Sequence, residues 1–215
     1  MKNAICLLFF CATITCAFGQ KELNLKKKSK FDYIFTISTQ FGDIELILFD
    51  ETPIHKENFF KLTKEGFYDS CTFHRVLDNF MIQGGDPNSK PNGNGRVGTG
   101  GPGYTLDAEF NTKFQHDKGM LAAARMPDRI NKERKSSGSQ FYIVQNEKGA
   151  HHLDGSYTIF GKVIKGIEVV DQIATQKVNA KGKPSEPIYM KVNYTRLKKK
   201  NITKMYGIEY PKKRK

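Results

Sequence analysis

The chain has 215 residues, 38% of them hydrophobic and 12% aromatic, with 35 Lys and Arg against 22 Asp and Glu for a formal net charge of +13. This is enough apolar chain for one packed domain, and the charge bias is too small for a disordered one. The excess charge lies entirely in the two ends, because residues 31–195 hold 20 bases and 20 acids, and that argues against a body that grips nucleic acid through its own surface charge.

The N-terminus, MKNAICLLFFCATITCAFGQ, sets Lys2 before an apolar run from Ala4 to Phe18, with Ala17-Phe18-Gly19 as a small-x-small pattern. That is the layout of a secretory signal peptide, and the run is shorter than the roughly 20 apolar residues of a spanning helix. Residues 1–19 are therefore expected to be a signal peptide cut after Gly19. The protein would be exported: periplasmic in a bacterium, otherwise in the secretory pathway or secreted. An uncleaved anchor and lipid attachment at Cys16 stay open, although Thr13 and Thr15 fit a lipid site poorly. No later stretch is apolar enough to span a bilayer. Cys6, Cys11 and Cys16 fall inside the signal, so the mature chain keeps Cys71 alone, with no internal disulfide. A buried filler in a strand is the expected role of Cys71, with a reactive thiol as the alternative.

Residues 20–30 form a basic arm of five bases against Glu22. From Tyr33 to Phe49, YIFTISTQFGDIELILF holds two β-rich runs around Gln40-Phe41-Gly42-Asp43, which predicts an antiparallel hairpin with Ile44, Leu46 and Leu48 on one face. Thr52-Pro53 supplies an N-cap and a proline at the first helical position. Phe59 and Leu62 fall at i, i+3 and Gly66 offers a stop, so a helix of about three turns is expected here. Short β-rich runs follow at CTFHRV, FMIQ, GMLAAA, QFYIVQ and YTIFGKVI. Ile167, Val170, Ile173 and Ala174 predict a second helix from Gly166 to about Ala174. IYMKVNYT predicts a last strand with Ile188, Met190, Val192 and Tyr194 inward. Eight short antiparallel strands with two helices favour a closed barrel or sandwich over a βαβ fold. Residues 198–215 read as a basic extension interleaved with Ile202, Met205, Tyr206, Ile208 and Tyr210. A solvated or domain-packed tail is expected there, against a tail that binds nucleic acid or a membrane surface.

Three chemical signals are weak. Gly93-x-Gly95-x-x-Gly98 matches a dinucleotide-binding pattern in letters only, since phosphate cradling needs a strand before the glycines and a helix after them. Here Asn88-Ser89-Lys90-Pro91-Asn92 and Thr99-Gly100-Gly101-Pro102-Gly103 flank it, which predicts a surface loop. His151 and His152 are adjacent, and no carboxylate or cysteine cluster completes a metal set, so neither a metal nor a cofactor is expected. Ser136-Ser137-Gly138-Ser139 has no spacing that implies a nucleophile.

The segment FHRVLDNFMIQGGD, Phe73 to Asp86, places Arg75 on a β-run, then Phe80, Met81 and Gln83, then a glycine turn. Its apolar residues alone do not distinguish a binding groove from a pair of core strands with a surface arginine. Downstream, Gly138-Ser139-Gln140-Phe141-Tyr142-Ile143 and Leu153-Asp154-Gly155 with Phe160-Gly161 appear in order. With these blocks the chain resembles a cyclophilin, a peptidyl-prolyl cis-trans isomerase, from about Lys30 to Leu197. Residues 31–197 are thus read as the isomerase domain.

The resemblance implies a mainly β fold, an eight-stranded antiparallel barrel closed at each end by a helix. It implies an enzyme that accelerates rotation about X-Pro bonds in unfolded or extended polypeptides; with the signal pattern, the expectation is a monomer that assists the folding of exported proteins. A chaperone that holds such peptides with negligible turnover is the alternative, and Arg75 counts against it. By resemblance Arg75 is the catalytic donor to the prolyl nitrogen, and Gln83 positions it and bonds substrate backbone. Phe80, Met81, Tyr142 and Leu153 fall at the proline-pocket positions. Gln140 and the backbone around Ala124 and Arg125 match the groove for residues before the proline. Several positions depart from the best-known members: His152 stands where many have tryptophan, Tyr157 where they have histidine, Tyr142 where they have phenylalanine and Arg125 where they have asparagine. The loop from Met126 to Ser137 is longer than usual. Substrate contacts at His152 and Tyr157 are expected to persist, and cyclosporin binding is expected to be weak at best.

Overall fold

The computed structural model describes residues 29–211; the signal peptide and most of the basic arm expected at the N-terminus lie outside the described residues, as do residues 212–215. The chain runs β1 (Phe31–Thr39), β2 (Gly42–Leu48), α1 (Pro53–Lys64), β3 (Arg75–Leu77), β4 (Met81–Gly84), β5 (Thr105–Leu106), β6 (Met120–Ala123), β7 (Ser136–Ser137), β8 (Phe141–Val144), β9 (Ile159–Lys165), α2 (Ile167–Ala174), β10 (Lys191–Lys198) and α3 (Lys199–Tyr206). Eight strands form one sheet in the order β10-β1-β2-β9-β6-β8-β4-β3, and every pairing is antiparallel. The two ends of the sheet are tied to each other. Thr72 bridges Tyr189, the Phe73 N–H donates to the Ile188 carbonyl at 2.9 Å, and the Met190 N–H donates to the Cys71 carbonyl at 2.8 Å. These bonds join the segments leading into β3 and β10 and turn the sheet back on itself.

Two-residue alternation fills the interior. Phe35 and Ile37 of β1, Ile44, Leu46 and Leu48 of β2, Leu121 of β6, Phe141 and Ile143 of β8 and Val192 of β10 all belong to one buried cluster. Helix α1 adds Phe59 and Leu62 against β9 and β10, while α2 adds Val170 and Ile173 against β2, β3 and β4. Each such side chain contributes about 1.5–3 kcal/mol when fully buried. Cys71 sits in this core, where burial pushes its thiol up to about 11, so it is a filler and a poor nucleophile. Gly166 opens α2 with φ +85°, and a Cβ there would lie 2.1 Å from the Asp43 carbonyl oxygen, which leaves room only for glycine.

Four features differ from expectation. Thr52 precedes α1, but its side chain makes no capping bond; Glu109 caps the helix, accepting the Ile54 and His55 N–H groups at 3.0 and 2.9 Å. Tyr194 is 37% exposed. It pairs with core residue Phe35 and so faces the correct side, but at the rim, where Tyr33 and Phe60 cover it edge-on. The short pair β5 and β7 is new, being two residues per strand with no periodicity to read.

The fourth is α3, a helix within the basic extension. Its Ile202 is fully buried on Ile34 and Ile47, whose side chains point out of the β1–β2 hairpin, with Ile164, Leu197, Tyr206, Ile208 and Tyr210 around them. Tyr206 donates to Glu45 at 2.6 Å, Tyr210 to Asp32 at 3.2 Å and Lys199 to Asp50 at 3.2 Å. The tail up to Tyr210 is domain-packed. The Lys199 N–H also donates to the Lys30 carbonyl at 2.9 Å, so both basic ends meet the sheet at one corner.

Candidate active site

On β4 and β8 the same alternation that sends Ile82, Phe141 and Ile143 inward sends Met81, Gln83, Tyr142 and Val144 outward. Register then sets Arg75 opposite Gln83, Gln83 opposite Tyr142 and Tyr142 opposite Ala122, a row of residues across four strands. Side chains connect its polar end. Arg75 Nη1 donates to Gln83 Oε1 at 3.3 Å, Gln83 Nε2 donates to Gln140 Oε1 at 3.1 Å, and Gln140 Nε2 donates to the Gly100 carbonyl at 2.8 Å. Arg75 is exposed and makes no salt bridge among the described residues, whereas Arg125 and Arg134 both pair with Asp128.

The glycine-rich loop supports this row. Asp86 is fully buried, and its carboxylate accepts the backbone N–H groups of Asn88 at 2.7 Å, Gly98 and Gly100. The cradle of amides in the Gly93-x-Gly95-x-x-Gly98 region therefore holds the chain's own carboxylate. A Cβ on Gly100 would lie 2.2 Å from Asp86 Oδ1, so glycine is required for the loop to close onto it.

Next to the polar row stands an apolar wall. Met81 and Tyr142 are buried, and Phe80, Leu153 and Tyr157 are partly buried, in one cluster with Ala122, Ala124, Val144 and Ile159. The Phe80 and His152 rings lie 5.6 Å apart, and Tyr157 meets Tyr142 edge-on at 5.9 Å. His152 itself is exposed on the short turn His151–Leu153. Arg125 lays its guanidinium 4.4 Å over the Tyr157 ring and donates to the Ser156 carbonyl at 2.8 Å, so its charge is engaged there and with Asp128. The Ala124 N–H and carbonyl are both taken, by the Gln140 carbonyl at 3.0 Å and the Ser137 N–H at 2.8 Å. Among the described residues the backbone of Arg125 has no such partner, which leaves it free to pair with an extended peptide.

All eleven residues singled out in the sequence thus lie on or beside this outer-face cluster. One residue was not foreseen. His116 is buried below the wall, with Nδ1 2.6 Å from Asp154 Oδ1 and Nε2 2.9 Å from the Tyr142 hydroxyl. Burial pulls the His116 pKa below its ordinary value despite the pull of Asp154 in the other direction. Nothing in the sequence marks His116, which reaches Asp154 and Tyr142 only through the fold. Among the described residues no three His, Cys, Asp or Glu gather as metal ligands would.

Residues 34–194 match the model of the family described as cyclophilin type peptidyl-prolyl cis-trans isomerase. The chain belongs to that family. It is 43% identical over 138 residues to peptidyl-prolyl cis-trans isomerase CYP18-1 of Arabidopsis thaliana, covering 63% of this chain and 79% of the relative. Peptidyl-prolyl cis-trans isomerase-like 2 of Rhizopus delemar is 35% identical over 189 residues; that match takes in 85% of this chain, which spans only 32% of the longer relative. The crystal structure of a Cryptosporidium parvum cyclophilin type isomerase matches with a TM-score of 0.67 and 30% identity, covering 77% of this chain and 98% of that one. A second crystal structure of that protein was obtained in the presence of the dipeptide Ala-Pro. The eight-stranded antiparallel fold is therefore a cyclophilin fold, and the chain is a prolyl isomerase that takes proline-containing peptides.

Proposed function

We propose that this isomerase acts on X-Pro bonds of unfolded or extended polypeptides in an exported compartment, assisting their folding, with Arg75 and Gln83 as its catalytic pair. An X-Pro amide turns slowly because resonance stiffens its C–N bond, with a barrier of about 18–20 kcal/mol. At the twisted midpoint that resonance is lost and the prolyl nitrogen becomes pyramidal, with a localised lone pair. An Arg75 N–H aimed at this nitrogen stabilises the midpoint and not the planar ends, which is the condition for lowering a barrier. No bond to the substrate is made or broken. The observation that carries the reading is the chain Arg75–Gln83–Gln140, which ends in an exposed guanidinium with no salt bridge among the described residues, beside an apolar wall.

Within it, Gln140 orders Gln83, and Gln83 takes one Arg75 N–H and so orients the rest. Phe80, Met81, Tyr142 and Leu153 grip the proline ring, with His152 and Tyr157 at the rim. The backbone of Arg125 pairs with the residue before the proline, while Ala124 contributes its methyl to the wall. Exchange NMR on a short Ala-Pro peptide tests the assignment. Wild-type protein is expected to accelerate exchange, and Arg75→Ala to lose most of that acceleration while still binding the peptide. Acceleration that persists unchanged in the variant removes Arg75 from the mechanism, and none in either protein favours a holding chaperone.

Export rests on the N-terminal signal pattern, and N-terminal sequencing of the protein from its host, with cleavage after Gly19, is the expected outcome. Cyclosporin binding is weak in this reading because exposed His152 replaces a tryptophan; a tight complex in calorimetry overturns it. The protein is a monomer that does not use nucleic acid, a reading supported by a tail folded onto its own sheet with Lys199 on Asp50. Nucleic-acid binding that falls steeply with salt contradicts it.

A further inference from the structure

Below the apolar wall lies a buried polar chain that amide rotation itself does not need. Asp154 Oδ1 accepts the His116 backbone N–H at 2.8 Å and faces His116 Nδ1 at 2.6 Å, and its Oδ2 faces His151 Nδ1 at 3.2 Å. With the carboxylate ionised, Nδ1 must carry a proton, because two acceptors cannot bond to each other. In the neutral ring Nε2 is then a bare lone pair, and the Tyr142 O–H donates down to it across 2.9 Å, the two ring planes lying 9° from parallel. The phenol so held offers the pocket a ring and oxygen lone pairs, with no free donor.

A proton on His116 reverses that last bond. Nε2–H then donates to the phenol oxygen, and the Tyr142 O–H loses its acceptor. The Tyr142 hydroxyl has no other hydrogen-bond partner among the described residues, and Met81, Ala122, Val144 and Ile159 in its cluster are apolar. A buried donor without a partner is costly, so the O–H must turn toward the groove or the ring must shift. Both change the surface that would meet a proline.

We propose that His116, held by Asp154, is a positioning residue of this isomerase: through Tyr142 it keeps the floor of the proline pocket fixed and free of donors, and protonating it weakens substrate binding. This rests on the reading that Tyr142 lines the pocket. The titratable groups facing His116 are Asp154, Tyr142, Tyr157 at 6.5 Å between ring centroids, and His151 and His152 on the turn before Asp154. Arg125 lies beyond Tyr157. Burial first, then the two neighbouring histidines, lowers the His116 pKa, and only Asp154 raises it. The balance favours the neutral ring, and acidification is what adds its proton.

The test measures KM and kcat separately on an Ala-Pro peptide from pH 8 to pH 5, with imidazole ¹⁵N NMR following His116 in the same samples. In the wild type KM is expected to rise about tenfold as His116 protonates, with kcat nearly constant, since a tenfold change corresponds to about 1.4 kcal/mol of binding. Tyr142→Phe keeps the ring and removes the hydroxyl, so its KM should stay flat while His116 still titrates. A wild-type KM that stays flat through the His116 titration overturns the proposal, as does a Tyr142→Phe variant that reproduces the wild-type rise. A peptide that is turned over without moving any Tyr142 or His116 resonance places the pocket elsewhere, and the pocket reading falls first.

Discussion

The outer face of the sheet carries two apolar patches built by the same strand alternation, and they meet different fates. Over β1, β2 and β9, Ile34, Ile47 and Ile164 are covered by the chain's own α3, with Ile202 at the centre and Tyr206 and Tyr210 bonded to carboxylates at the edge. Over β4, β6 and β8, Met81, Ala122, Tyr142 and Val144 are buried too, but Phe80, Leu153 and Tyr157, which pack against them, stay partly exposed, and a polar row begins beside them. A patch sealed with satisfied polar groups at its rim is structural. A patch whose rim residues stay partly exposed, next to a guanidinium with no salt bridge among the described residues, is the one proposed above to take a guest that is apolar at its centre and an amide at its edge, as an X-Pro peptide is.

Substitutions on the two patches should therefore separate activity from stability. The largest effect belongs to the open one. Arg75→Ala should lower kcat/KM by about 10²- to 10³-fold, the range seen when one transition-state donor is removed. Arg75→Lys should recover little of it, because an ammonium lacks the planar fork that bonds Gln83 and the substrate together. Thermal unfolding of both variants should match the wild type.

On the covered patch the sign is opposite. Ile202→Ala should destabilise the fold by about 2–4 kcal/mol in urea unfolding, as for other buried aliphatic truncations, with kcat/KM unchanged. A loss of activity at unchanged stability would mean that α3 belongs to the site. A smaller effect is expected at Glu109, which joins α1 to the loop before β6. Burial raises its carboxyl pKa, but bonds from the His55 side chain and from the His55 and Ile54 amides outweigh this and hold it below the ordinary value. A depressed carboxyl stabilises the fold above its unfolded pKa, near 4.3, and loses that contribution as pH falls through its folded value. Glu109→Gln should cost about 1 kcal/mol at pH 7, and the difference from wild type should shrink toward pH 3. The smallest change is Tyr206→Phe, which removes the bond to Glu45 and should cost about 0.5–1.5 kcal/mol with no kinetic effect.

The strands were legible in the sequence because they depend on short-range pattern, whereas the residues of the open patch were picked out by the family resemblance. Alternation around Ile44, Leu46 and Leu48 marks the hairpin, and FHRVLDNFMIQGGD, which carries the resemblance, holds Arg75, Phe80, Met81 and Gln83 within nine residues. What was not legible depends on distant partners. Thr52 has the right residue type for a cap, yet Glu109 caps α1 from another loop. In the tail, one buried isoleucine among lysines and a tyrosine reaching Glu45 across the fold give no helical stripe to read. His116 finds Asp154 and Tyr142 only after β8 and the turn before β9 have been brought together.

The most direct test of the contrast is to titrate ¹⁵N-labelled protein with an Ala-Pro peptide and map the amide and side-chain shifts. Perturbations centred on Arg75, Gln83, Phe80, Arg125, Tyr142 and Leu153, with Ile34, Ile47 and Ile202 unmoved, are the expected result. Perturbations centred on the α3 patch, or spread equally over both, would contradict the assignment of the open patch as the proline site.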